Sequence, residues 1–445
     1  MSIIVRGSLV TLLLVAGVAA ASTAQGRPRR AQAGAIDSIA QAPITAGRAA
    51  GMSVAVVRGT DTIVLKGYGY ADLELDVPTP SASVYEIGSV TKQFTAAAVF
   101  QLADAGKLSL DDDLTRFLPD YPTQGHRIPI RRLLNHTSGI KGYTELPVFW
   151  RAITMRDLER DSLVALFAKE PFDFPPGDMM IYNNSAYFLL GLIIEKASGE
   201  TYEDYVKKHL FEPAGMSDSR YCSNTAVIKR RAKGYGSTPQ GLVRAPYLSH
   251  IWPYAAGSLC STAGDLLAWN RALHGNRGQG GTVLPAKVYG AYLTPGTLND
   301  GTRLRYAHGL SITENGGRRR IAHGGGIFGF LSESRYYPDE DLIIIVLINT
   351  AGPADPGGIA DAIEDVVLGK APEPPANRFA GDLAPFAGRY EGPGRGTPLV
   401  AIVTADPDGL MLALGRGQAR RLRWVNGLTF AQGQGRYTFV RRGDE

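Results

Sequence analysis

The sequence predicts a mixed α/β (α+β) domain followed by a small all-β domain. In the first, a mostly antiparallel sheet is made from both ends of the domain, with helices inserted between them. Three observations predict this. Two strand-like runs, Met52 to Val57 and Thr62 to Tyr68, come early, and strand-like texture returns only from Arg305. Between them, roughly from Leu108 to Leu293, the chain reads mostly as helical patches separated by loops. The strands are joined by short hairpin turns such as Arg58-Gly59-Thr60-Asp61, whereas a doubly wound parallel sheet needs long crossovers.

The elements follow in order. Residues 1–24 read as a secretory signal peptide: Arg6 gives a positive start, Leu9 to Ala21 an apolar run too short to span a bilayer, and Ser22-Thr23-Ala24 small residues for cleavage before Gln25. No cysteine lies near that point to carry a lipid anchor, and no later segment is long and apolar enough to cross a membrane. Arg27 to Ala33 reads as basic and loose. Ile36 to Ala46 reads as an amphipathic helix, with Pro43 counting against its second half. After the two strands, Glu86 to Val99 reads as a turn feeding a helix that starts near Ser89 and stops at Gly106. Further helices are expected over Arg156 to Phe167, Ala186 to Ala197 before Gly199, Tyr202 to Leu210, and Ala263 to Leu273 before Gly275. Strands are expected over Tyr306 to Thr313, Arg320 to His323, Phe330 to Tyr337 and Leu342 to Ile348. The last is almost wholly aliphatic, as a strand buried on both faces should be. Gly358 to Leu368 reads as a closing helix. The main domain thus spans 34–370, a stiff proline-rich linker 371–380, and a small β domain 381–445, with strands at Leu399 to Val403, Leu410 to Leu414, Leu422 to Val425 and Tyr437 to Val440.

Composition narrows the function. The chain has 445 residues, 44% hydrophobic and 20% charged, which suits a folded globular protein. A net charge of +5 is modest for this length. The clusters Arg318-Arg319-Arg320 and Arg420-Arg421 are short and lack interleaved aromatics, so no nucleic-acid partner is expected. Cys222 and Cys260 can form one disulfide in an exported protein or remain two thiols, and the sequence leaves both open. Neither has zinc-site spacing, histidines are not clustered, and no cofactor or metal is expected.

Three groups carry chemistry. Ser89 and Lys92 are three apart, so on a helix they share a face, where a hydroxyl and an amine can act as nucleophile and base. A helix start also offers free N–H groups to developing negative charge. The pair Ser138 and Lys141 has the same spacing, but Gly139 interrupts it in what reads as a helix end and loop. In Tyr182-Asn183-Asn184, a phenol can relay a proton and an amide can both donate to and accept from a substrate. Taken alone, Tyr182 also fits a packing role and Asn184 a helix cap. In His323-Gly324-Gly325-Gly326, three glycines in a strand mark close approach of something to the backbone.

Ser89-x-x-Lys92, Tyr182-x-Asn184 and His323-x-Gly325, in this order, resemble the serine β-lactamase and penicillin-binding-protein superfamily. The likeness is strongest to the branch of class C β-lactamases, D,D-carboxypeptidases, D-aminopeptidases and related esterases. Gly67-Tyr68-Gly69-Tyr70, Leu133 to Gly139, Pro213-Ala214-Gly215-Met216 and Ala256 to Leu266 add to the likeness, which covers roughly Gly34 to Gly369. The resemblance implies a β-lactamase/transpeptidase-like fold, an antiparallel sheet flanked by helices beside a helical region. It implies that Ser89 forms an acyl-enzyme, that Lys92 and Tyr182 share the proton transfers, and that Asn184, His323 and Gly325 line the substrate site. The N–H groups of Ser89 and Gly326 would form the oxyanion hole.

Two departures shape the expectation. His323 stands where most β-lactamases have lysine, and Gly324 where relatives use a hydroxyl to hold a substrate carboxylate. A site lacking that partner discriminates poorly for the group it would have held. The expected protein is therefore a periplasmic or secreted serine hydrolase acting on an ester or a D-amino-acid-containing amide, as a small molecule or peptide, with weak or no β-lactamase activity. A D,D-carboxypeptidase acting on cell-wall peptides and a noncatalytic sensor or binding module are the alternatives. An α/β-hydrolase is disfavoured because no G-x-S-x-G element is present.

Overall fold

The computed structural model describes residues 29–150, 152–371, 378–432 and 435–439. The segment expected to be a signal peptide, 1–24, lies outside the described residues, as does most of the proline-rich linker (372–377). No helix among the described residues is long and apolar enough to cross a membrane.

The main sheet has seven strands in the order Val77–Pro78, Asp61–Asp72, Gly51–Arg58, Leu342–Ile348, Phe330–Tyr337, Arg318–Ile327, Ser311–Asn315, with antiparallel pairing throughout. Its centre joins the two ends of the domain, Met52 facing Ile348 and Arg58 facing Leu342. Leu342–Ile348 is wholly buried because both sheet faces are covered. Ile344, Val346 and Ile348 pack under the terminal helices Arg29–Thr45 and Pro356–Leu368. Ile343, Ile345 and Leu347 face the larger core shared with the helical region. Two helices of that region, Thr91–Asp104 and Asn184–Ser198, pack on each other and bring the first two chemical groups together.

Several elements differ from expectation, each for a local reason. The first helix begins at Arg29, so the segment read as loose is helical from there. It runs through Pro43 because Ile36, Ala40 and Pro43 all lie on its buried face, and their burial outweighs the missing N–H. The expected helix from Arg156 starts only at Arg160. Its first residues are pinned to a neighbouring loop, Ser249 donating to Asp157 and Trp252 Nε1 to the Arg156 carbonyl. The helix at Tyr202 changes after Val206 into a π turn, Lys207–Phe211. The strand expected from Tyr306 forms only over Ser311–Asn315. Before it, the chain folds against the helix that carries Lys92. Gly309 takes φ +72°, and a Cβ there would sit 2.5 Å from the Lys92 carbonyl oxygen. The helical middle also holds short strands that sequence periodicity cannot reveal. Tyr85–Glu86, Leu259–Ser261 and Arg220–Tyr221 form one small sheet, and Tyr235–Thr238, Gly241–Arg244 and Thr350–Ala351 another.

Cys222 and Cys260 are joined in a disulfide, with Cα atoms 5.2 Å apart. The question left open by the sequence is thereby answered. A bridge closing a loop of this size typically contributes about 2–4 kcal/mol, and it ties Leu259–Ser261 in place just beyond Ala256.

The C-terminal residues form a separate antiparallel meander, Gly388–Gly392, Leu399–Asp406, Gly409–Leu414, Arg420–Asn426, Thr429–Gln432 and Gly435–Thr438. Its core is Phe386, Val403, Leu410, Leu412, Leu422 and Phe430. The first and fifth strands lack an alternating apolar pattern and were not legible beforehand. The last ends at Thr438, two residues short of expectation, and Val440 lies outside the described residues.

Candidate active site

Ser89 sits in a single 3-10 turn, Gly88–Val90, that runs directly into the helix Thr91–Asp104. That helix is buried along most of its length. Its alanines at 96, 97 and 98 admit close neighbours, Phe94 stacks on Trp269 at 3.9 Å, and Trp269 Nε1 donates to Gln93. Ser89 is therefore mounted on a packed element, half-buried at the surface of the cleft.

Lys92 is fully buried. Its Nζ lies 3.0 Å from Ser89 Oγ, 2.8 Å from Asn184 Oδ1 and 2.7 Å from the Ala256 carbonyl oxygen. Burial lowers its pKa well below the ordinary lysine value, and the Arg395 guanidinium lowers it further. None of the three partners is a carboxylate that would hold a proton on the amine. A neutral amine has two N–H donors and one lone pair. Asn184 Oδ1 and the Ala256 carbonyl can only accept, so in the neutral form they would take both donors and leave the lone pair for the Ser89 hydroxyl, whereas the protonated amine donates to all three.

Tyr182 and Asn184 precede and open the helix Asn184–Ser198. Asn183, not Asn184, is the cap: its side chain accepts from the Ala186 N–H at 2.9 Å. Asn184 is thus freed to hold Lys92 with its oxygen, while its Nδ2 donates to Thr144 Oγ1 at 3.2 Å. The Tyr182 hydroxyl is buried without a hydrogen bond of ordinary geometry. Burial raises its pKa, while the nearby Ser89 hydroxyl and Arg395 act the other way. Lys92 Nζ lies 4.8 Å from the centre of its ring. Behind it, the His136 ring lies tilted against it with centres 4.3 Å apart, and His136 Nδ1 accepts from the Asn183 N–H.

The third group closes the cleft. Arg318–Ile327 carries His323 to Gly326 past the Ser89 turn. A Cβ at Gly325 would lie 2.1 Å from the Ile87 carbonyl oxygen and 3.1 Å from the Ser89 nitrogen, so glycine is required for this approach. A Cβ at Gly88, where φ is +50°, would lie 2.9 Å from the Gly326 nitrogen. His323 is buried, which pulls its pKa down to about 3, with Lys92 adding to the effect. It is neutral at physiological pH. Its Nδ1 donates to the Gly324 carbonyl, which leaves Nε2 to accept from the Tyr306 hydroxyl at 2.9 Å.

The structure therefore brings Ser89, Lys92, Tyr182, Asn184, His323, Gly325 and Gly326 to one cleft. The competing pair is not assembled: Lys141 is bound to Asp173 and the Ser138 hydroxyl is buried without a partner.

The chain matches the beta-lactamase family over residues 36–368. It is a member of that family. It is 30% identical over 345 residues to a penicillin-binding protein of Bacillus subtilis (strain 168), covering 73% of this chain and 75% of that one. It is 28% identical over 319 residues to a D-aminopeptidase of Brucella anthropi, covering 71% of this chain but only 59% of that protein's length. Among solved structures, an octameric penicillin-binding protein homologue from Pyrococcus abyssi superposes with a TM-score of 0.65 at 27% identity, over 92% of this chain and 93% of that one. This beta-lactamase-family protein is a serine hydrolase.

Sequence reasoning missed several parts of the family member's cleft. Tyr306 donates to His323 Nε2, and His136 braces Tyr182. Thr144, Glu145 and Arg395 form a connected group at the rim. Arg395 alone left a signal, a single arginine between glycines in Gly394-Arg395-Gly396.

The glycine packing yields a prediction. Gly325→Ala is expected to lower the melting point, since overpacking costs about 1–3 kcal/mol, and to cut ester turnover at least tenfold by displacing the Ser89 turn. Gly326→Ala, whose Cβ would first meet Leu331 at an ordinary 3.5 Å, is expected to melt like the parent. Thermal unfolding of the two variants side by side checks this.

Proposed function

We propose that this protein is an exported hydrolase that forms an acyl-enzyme on Ser89 with an ester or a D-amino-acid-containing amide, and has weak or no β-lactamase activity. The observation that carries the reading is the Lys92 amine, buried among two acceptors and the Ser89 hydroxyl. In the proposed sequence Lys92 takes the Ser89 proton as Oγ attacks the carbonyl carbon. The oxyanion meets the N–H groups of Ser89 and Gly326. Tyr182, whose hydroxyl has no hydrogen-bond partner among the described residues, passes a proton to the leaving group as the tetrahedral species collapses and is reprotonated by the proton that Lys92 took from Ser89. Water then attacks the acyl-enzyme, with the same two groups returning its proton.

The neutral His323 and the bare Gly324 support the low expectation for β-lactams, because the third motif presents no charge or hydroxyl to a carboxylate held along its own strand. The D-aminopeptidase relative supports D-configured amides, and the penicillin-binding relative keeps a D,D-carboxypeptidase role as the second reading. The hydrogen-bonded Ser89 and Lys92 count against a noncatalytic module. The disulfide, together with the apolar N-terminal run, supports export.

The test is a substrate panel with mass spectrometry of the intact protein. A p-nitrophenyl ester and a D-amino acid p-nitroanilide are expected to turn over, the L-anilide and a chromogenic cephalosporin poorly, with a transient acyl adduct on the Ser89 peptide. Rapid cephalosporin hydrolysis, or an adduct elsewhere, would overturn the reading. Release of D-alanine from a D-Ala-D-Ala peptide would favour the second.

A further inference from the structure

Among the described residues, a side chain from outside the β-lactamase-like domain reaches the cleft. Arg395, on the turn between the first two strands of the C-terminal domain, reaches across to the rim. Its Nε donates to Glu145 Oε1 at 2.5 Å and its Nη2 to Thr144 Oγ1 at 3.2 Å. The guanidinium carbon lies 5.3 Å from the centre of the Tyr182 ring. The approach is built in: a Cβ at Gly396, where φ is +79°, would sit 3.0 Å from Glu145 Cβ. Thr144 also receives Asn184 Nδ2, and Asn184 holds Lys92. The guanidinium is thus placed beside the reacting groups by a side chain only two hydrogen bonds away from Lys92.

We propose that Arg395 is a specificity-determining residue that binds a carboxylate on the substrate, so that the C-terminal domain selects acidic esters and amides for Ser89. The inference rests on the reading of Ser89 as nucleophile. Three observations carry it. Of the five N–H donors of the guanidinium, Glu145 and Thr144 take two, and the other three meet no acceptor among the described residues. The side chain is 48% exposed although its partner Glu145 is only 10% exposed, so the fork is anchored from behind and open in front. Finally, the third motif presents no charge of its own. His323 is engaged on both nitrogens and Gly324 has no side chain, while Arg395 sets a cation at the mouth, near Lys92, whose pKa burial lowers. A planar fork with free donors suits bidentate carboxylate recognition.

The experiment uses two pairs of activated esters. In one pair the leaving group carries a free carboxylate or its methyl ester (4-acetoxybenzoic acid against its methyl ester). In the other the acyl group does (4-nitrophenyl hydrogen succinate against the methyl-capped diester). The readout is the acid-to-capped ratio of kcat/KM, which cancels any general loss of activity. In the parent protein the acid of at least one pair is expected to be preferred. Arg395→Ala is expected to lower that ratio about 10–100-fold, mainly through KM, as loss of a charge-assisted bidentate contact should. Arg395→Lys is expected to restore it in part. Equal loss for both members of each pair would mean that Arg395 only docks the two domains, and would overturn the proposal. So would an unchanged ratio, or a preference that follows a substrate ammonium, which would assign Glu145 as the receptor. No ester turnover and no adduct on Ser89 would instead sink the hydrolase reading, and this proposal with it.

Discussion

Ser89→Ala is expected to abolish ester hydrolysis, lowering kcat by about 10⁴-fold or more, the scale on which a nucleophile's removal disables a catalytic unit. Among the described residues, no second serine hydroxyl is bonded to Lys92. The other serine at matching spacing, Ser138, is buried, and Lys141 is neutralised by Asp173. The fold should survive the change. Ser89 lies on the cleft surface, and its hydroxyl gives up the hydrogen bond to Lys92. Circular dichroism and the melting point should match the parent while the initial rate falls to background. Equal rates in the two proteins would remove Ser89 from the mechanism and return attention to Ser138.

Lys92→Met is expected to cost about 10²–10⁴-fold in kcat/KM, the usual contribution of a positioned general base. Combining it with Ser89→Ala should add little, because the two act as one unit. Its pH dependence has a defined sign. Burial lowers the Lys92 pKa below that of the unfolded chain, so the active neutral amine is present above the folded value. The parent rate should rise with pH along a limb well below the ordinary lysine range, and that limb should vanish in the variant. Stability runs in the same direction. Between the folded pKa and 10.5 the unfolded chain binds more protons than the folded one, so the parent gains stability as pH rises. The cost of burying this lysine is greatest at and below its folded pKa and disappears above 10.5. Lys92→Met should therefore leave the melting point unchanged or raised, most of all at low pH. A variant that is both inactive and destabilised would show that the amine holds the fold rather than the reaction.

These residues were legible because their chemistry is local. Ser89 and Lys92 announce themselves by helical spacing, and Leu342–Ile348 by an unbroken aliphatic run that only a doubly covered strand can use. What the sequence hid depends on distant partners. Asn183 and Asn184 are identical neighbours, and nothing local tells which one caps the helix and which one holds Lys92. Tyr306 to Leu310 alternates like a strand, yet it must fold against the Lys92 carbonyl and deliver Tyr306 to His323. Arg395 lies some 200 positions from Tyr182 in another domain, and only the packing of Gly396 on Glu145 places it in the cleft.

The pairing of Gly51–Arg58 with Leu342–Ile348 also sets an order of events in folding. Contacts between distant parts of a chain form late, because loop closure must come first. The helical region, whose contacts are mostly closer in sequence, can assemble before the central sheet is complete. The glycine strand reaches the Ser89 turn only when that sheet is registered, since it belongs to the late-arriving half. During refolding, helical signal should thus recover well before turnover does. On the ribosome, Ser89 would be synthesised early, yet it would lie without its opposing strand until almost the whole of the first domain had emerged.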